Sequence, residues 1–94
     1  MGTIKVRDVL SGLERKGFCR TEGDHSHLIL YVNGKKTPIR TKVSHGSNEI
    51  GESLIHLMSK QVRLDKKQFM DLIYCPLALP DYLKELEGQG FTFT

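Results

Sequence analysis

The chain has no tryptophan, only two cysteines and only three prolines in 94 residues, and these scarcities already remove several classes of protein. Cys19 and Cys75 cannot build a disulfide framework, and neither sits in the CxxC or Cys/His spacing of a structural zinc site, so both are expected as reduced thiols. No apolar run approaches the ~20 residues needed to cross a bilayer, and Met1 to Val9 lacks the apolar stretch of a secretion signal; a cytosolic protein without membrane contact is expected. Internal repeats and low-complexity tracts are missing. So are a Gly-rich phosphate loop and any Ser/His/Asp order, which leaves no sign of a nucleotide-dependent or acyl-transfer enzyme and no expectation of a cofactor.

What is present is the material of one globular domain with a modest core, 38% hydrophobic and 27% charged. The net charge of +3 is unevenly spread. Residues 1–47 hold nine Lys/Arg against four Asp/Glu, a balance of +5, whereas residues 48–94 hold five against seven, a balance of −2. A positive field over one half favours a polyanionic partner and weakens with salt.

Hydrophobic periodicity predicts the elements. Val6, Val9, Leu10 and Leu13 recur at i, i+3, i+4 and i+7, an amphipathic helix closed by Lys16 and Gly17, with Gly12 as a weak point inside it. Phe18 to Glu22 reads as a strand. The alternating run through His25, His27, Leu28, Leu30 and Val32 is a second strand, and Asn33-Gly34 turns it tightly into a third, Lys36 to Val43. The period then changes to 3.6, with Ile50, Leu54, Leu57 and Met58 marking a helix that continues to Val62. Asp65 and Gln68 have capping-box spacing ahead of Phe69, Leu72 and Ile73, and Pro76 stops that helix. A last short helix is expected around Leu79 to Leu86, closed by Gly88. The order predicts an α+β fold: a helix, a three-stranded antiparallel sheet and a helix, both helices on one sheet face, with one or two short helices after them. Residues 1–75 form the main unit, and residues 76–94 form an extension that packs on it or serves an interface.

On the return strand Lys36, Arg40 and Lys42 share one parity, and Ile39 and Val43 take the other. If Leu28, Leu30 and Val32 point inward, His25, His27 and Tyr31 emerge beside Arg40 and Lys42 on the open face. Imidazoles among cations suit a polyanion. Arg20 joins them only if Cys19 and Thr21 face the core, and Phe18 argues for the opposite parity. Lys35 and Lys36 flank the hairpin tip, where lysine also protects exposed edges. His45 precedes a helix N-terminus, a position suited to a phosphate or to a backbone cap. His56 reads as partly buried helix surface, and Leu54, Leu57 and Met58 read as core. His25, His27 and Asp24 superficially offer metal ligands, but Glu22 and His45, the nearest third donors, follow no recognised spacing, so no metal is expected.

Several of these segments together resemble the HicA-type toxin family, small prokaryotic endoribonucleases. Gly17-Phe18 and Gly23-Asp24-His25 are similar to the family's Gly-Phe and Gly-Ser-His, and Gly34-Lys35-Lys36-Thr37 to its hairpin Gly-Lys-Lys-Thr. His45-Gly46-Ser47-Asn48-Glu49-Ile50, Glu52-Ser53-Leu54 and Lys60-Gln61 look like the block around a second family histidine. The likeness covers roughly residues 7–69; Asp24 stands where the family has serine, Val43 where it commonly has proline, and residues 70–94 run beyond it. The resemblance implies a double-stranded-RNA-binding-domain-like α-β-β-β-α fold, metal-independent cleavage of RNA, His25 as the catalytic histidine, and inhibition by a HicB-type antitoxin protein.

Such cleavage requires a base for the ribose 2′-hydroxyl, cations for the phosphorane and an acid for the departing oxygen. Histidine, with an unperturbed pKa of ~6.5, suits both proton roles. His25 and His27 share sheet parity, so parity alone does not separate them as the base. Arg40, Lys42, Lys36, His45 and Arg20 are the candidate phosphate contacts. Two other readings stand beside this one: a non-catalytic RNA-binding module with the same fold, which Asp24 beside His25 favours, and a protein-interaction domain, a homodimer included, built on the apolar tail.

Overall fold

The computed structural model describes residues 3–44, 48–74 and 76–93. Asn33 (φ 54°) and Gly34 (φ 77°) both occupy the left-handed region, the backbone a two-residue hairpin of the favoured hand requires. They join β3 (His25–Val32) to β4 (Lys35–Ser44), and β2 (Phe18–Glu22) pairs with the other side of β3, giving an antiparallel sheet in the order β2-β3-β4. Leu28 and Leu30 are buried, as are Ile39 and Val43 on the neighbouring strand, so one face of the sheet belongs to the core as the alternation predicts. Opposite Leu30 the ladder is irregular between Ile29 and Tyr31. Pro38 has no N–H to give there. The Thr37 hydroxyl donates to the Leu30 carbonyl at 2.7 Å and accepts from the Ile39 N–H at 3.2 Å, so a side chain replaces the missing rung.

The helices α1 (Val6–Arg15), α2 (Glu52–Gln61), α3 (Lys66–Tyr74) and α4 (Leu79–Gly88) complete an α+β fold. Helix α1 packs on β2 and β3, α2 packs beside β4, and α3 packs against both helices. Gly17 (φ 92°) ends α1 as its position after Lys16 predicts. The capping box at α3 forms in both directions: the Gln68 N–H donates to Asp65 Oδ1 at 2.7 Å, and the Asp65 N–H to Gln68 Oε1 at 3.2 Å.

Four features depart from the sequence expectation. Ile50 belongs to a two-residue strand β5 (Glu49–Ile50) that pairs with β1 (Ile4–Lys5), burying Ile4 and Ile50 together. Helix α2 turns Ile55, Met58 and Val62 inward, and Leu57 is 51% exposed; both stripes satisfy helical spacing, and packing beneath β4 selects the first. His56, on the same helix, is exposed. Helix α4 runs through Gly88 and ends at Gly90 (φ 104°), where the Phe91 N–H reaches the Leu86 carbonyl at 3.1 Å.

Helix α4 shares the core of the other elements. Tyr82 and Leu86 are fully buried, the Tyr82 ring stacks on Phe18 with centroids 6.2 Å apart, and its hydroxyl donates to the Val62 carbonyl at 2.8 Å. Burial pushes the Tyr82 phenol far above its ordinary value of 10.0, with the Arg63 charge opposing. A raised folded-state pKa stabilises the native chain below pH ~10, and that contribution falls by about 1.4 kcal/mol per pH unit as pH rises toward the folded-state value. Urea denaturation from about pH 9 to about pH 11 is therefore expected to show a steeper loss of stability for the wild type than for Tyr82→Phe. The variant itself starts about 1 kcal/mol lower for want of the hydroxyl's hydrogen bond.

Lys16 is 7% exposed and its ammonium donates to the Leu72 carbonyl at 2.6 Å, while Arg15 reaches the Ile73 carbonyl at 3.3 Å. Cations at the end of α1 thus satisfy the last-turn carbonyls of α3, where the helix dipole is negative. Two turns earlier along α1, Asp8 accepts from the Tyr74 hydroxyl at 3.3 Å. Partial burial, and then that carboxylate's charge and hydrogen bond, raise the Tyr74 phenol. Among the described residues no helix is long and apolar enough to cross a membrane.

Candidate nucleic-acid interface

Strand pairing places side chains before any contact does, because directly opposed residues share a face. His27 lies between Thr21 and Lys42, His25 is opposite Ser44, Ile29 lies between Cys19 and Arg40, and Tyr31 is opposite Lys36. These residues are on the side of the sheet away from Leu28, Leu30 and the helices. The His25 and His27 rings stand with centroids 6.3 Å apart at 70°, both half-buried.

The same face carries Lys36, Arg40 and Lys42 and, among the described residues, no carboxylate. None of these three cations is in an ion pair with a described residue; pairs that do form elsewhere include Arg20 with Glu22 and Glu14, Lys66 with Glu52, and Lys67 with Asp71. The Lys66 ammonium, by hydrogen bond and charge, lowers the Glu52 carboxyl below its usual range.

Arg20 does not join the cationic face. It pairs in register with Leu28, which puts it on the helix-covered side at the sheet edge, and its guanidinium is 2.7 Å from Glu22. Phe18, 3% exposed, sets this parity, and Cys19 is an exposed free thiol on the other side. His45 and Cys75 lie outside the described residues.

Two hollows flank β4. One of ≈320 Å³ is lined by His27, Arg40, Thr41, Lys42 and Gln61, and one of ≈90 Å³ by His25, Lys42, Ser44, Leu54, Leu57 and Gln61. Shared Lys42 and Gln61 make them one groove between the open face and α2. Gln61 is held there by Thr41, whose hydroxyl donates to Gln61 Oε1 at 2.6 Å. Sequence reasoning missed Thr41 and Leu57 as groove residues, because each follows from how α2 meets β4. A hollow of ≈410 Å³ lies between α1 and the β1–β5 ladder, lined by Lys5, Val6, Arg7, Leu10, Asn48 and Glu49. Among the described residues no three His, Cys, Asp or Glu side chains gather as a metal ion would need.

Chemically, the groove offers two imidazoles able to carry protons, exposed cations beside them, and a rim of Leu54 and Leu57. No family model matches the chain, and no curated protein or solved structure matches it at a significant level.

Proposed function

We propose that this domain is a cytosolic, metal-independent endoribonuclease that holds RNA across the open sheet face, with His25 and His27 sharing the proton transfers. One observation carries the reading: two imidazoles 6.3 Å apart stand on a sheet face that, among the described residues, bears three cations without ion-pair partners and no carboxylate. A separation of that order lets two rings flank one phosphodiester, each within hydrogen-bond reach of a different oxygen.

In this mechanism one imidazole, His25 by the resemblance to HicA-type toxins, removes the 2′-hydroxyl proton. The 2′-oxygen attacks phosphorus, and the charge of the phosphorane falls to Lys42, opposite His27, and to Arg40. His27 protonates the 5′-oxygen as its bond to phosphorus breaks, leaving a 2′,3′-cyclic phosphate and a 5′-hydroxyl. Control by a HicB-type antitoxin is part of the same proposal.

The test is incubation of the full chain with RNA in a chelator. The expected products carry 2′,3′-cyclic phosphate ends, and a 2′-deoxy or 2′-O-methyl substrate stays whole. Intact RNA that is nevertheless bound would assign the face to a non-catalytic RNA-binding module. The cations give a separate expectation. Arg40→Gln and Lys42→Gln should each lower the slope of log affinity against log salt by up to ~0.7 on single-stranded RNA, read by anisotropy titration at several salt concentrations. Arg20→Gln, on the other side of the sheet, should leave the slope unchanged.

A further inference from the structure

We propose that the tail aromatics Phe91 and Phe93, with the tip of the β3–β4 hairpin, form a second subsite that takes unpaired nucleobases of a single-stranded segment; the proposal rests on the reading of the open sheet face as an RNA surface. After α4 the left-handed turn at Gly90 sends the chain back over the hairpin. Phe91 and Phe93 come to lie with ring centroids 6.5 Å apart and planes within 5°, both only half-buried. A cleft of ≈230 Å³ separates these rings from Lys35, Lys36, Thr37 and Pro38, and no acidic residue is among the described residues that line it. The Arg63 guanidinium lies 5.6 Å from the Phe91 centroid and adds a further cation.

Parallel, partly open rings rimmed by ammonium groups match a nucleobase and its phosphate: the ring takes the flat base, and the lysine takes the charge. The cleft is also continuous with the catalytic face. Lys36 lines it and, in the ladder, stands opposite Tyr31, which is 37% exposed on the same face as the histidines. Tyr31 lies four residues along β3 from His27, ~13 Å. A strand cut at the histidines would therefore pass Tyr31 before its bases reach Phe93. Binding should strengthen with strand length, and a duplex, whose bases are already stacked and paired, should gain nothing.

The experiment uses the full chain and fluorescent, uncleavable 2′-O-methyl-adenylate trimer and hexamer, with Phe93→Leu as the main variant because leucine keeps apolar cover while removing the π-face. Melting of the variant confirms that it is folded, and Lys35→Gln with Lys36→Gln reads the cationic half of the subsite. The wild type is expected to bind the hexamer at least ~5-fold more tightly than the trimer, and Phe93→Leu to lose that increment with the trimer unaffected. Equal hexamer binding by wild type and Phe93→Leu overturns the subsite, as do equal affinity for a duplex or no binding of either oligomer. A wild-type mass in solution of twice 10.7 kDa that halves in Phe93→Leu also overturns it, by giving the patch to a second copy. Because these probes cannot be cut, failure of the cleavage reading appears separately, as intact natural RNA.

Discussion

Gly12→Ala is expected to lower stability by about 1–3 kcal/mol, against the usual direction for a glycine inside a helix. In an exposed helix this change gains up to ~1 kcal/mol of propensity. Here a Cβ on Gly12 would meet the Ile73 carbonyl oxygen at 2.6 Å and the Ile73 Cα at 2.9 Å. Both atoms are backbone, so no rotamer change relieves the clash, and α1 and α3 must move apart. That motion also pulls Lys16 and Arg15 from the Leu72 and Ile73 carbonyls they satisfy. Thermal unfolding should show the loss as a drop of about 4–8 °C per kcal/mol for a domain of this size. Gly88→Ala is the matched control, since nothing lies within 4 Å of its added carbon and its backbone is helical. It should be neutral or stabilising by up to ~1 kcal/mol. A Gly12→Ala protein as stable as wild type would mean that the two helices do not cross at this glycine.

The second large effect concerns the histidines. His25→Ala and His27→Ala are each expected to slow RNA cleavage by about 10²- to 10⁴-fold while changing affinity for an uncleavable strand only a few-fold. The split follows from the proposed roles, since proton transfer matters in the transition state and phosphate attraction by Lys36, Arg40 and Lys42 acts throughout. If the rings work as one unit, the double variant should be little worse than the more damaged single one. His56→Ala, exposed on α2, should cut like wild type. Losses confined to binding, with the rate at saturating RNA unchanged, would reduce both rings to phosphate contacts.

Much of the open face was legible from the chain. Asn33-Gly34 demands left-handed backbone at both positions, which sets the hairpin, and the hairpin with the alternation from Leu28 to Val32 places His25 and His27 outside with Arg40 and Lys42. Asp65 and Gln68 likewise announced the start of α3 through a contact three residues long. Arg20 was ambiguous because β2 alternates weakly, and only the burial of Phe18 against Tyr82, far along the chain, decided its side.

What the sequence by itself determined, then, are features whose cause is local: turn chemistry, strand parity and helix caps, each governed by residues within a few positions. Tertiary structure alone decided which stripe of α2 faces the sheet, why Gly12 is small, where Lys16 puts its charge, and that Phe91 and Phe93 gather beside the hairpin. The Lys16 bond to Leu72 spans 56 residues and the Thr41 bond to Gln61 spans 20. Partners so distant leave no periodic trace, because their meeting depends on how whole elements pack and not on the preference of any one of them.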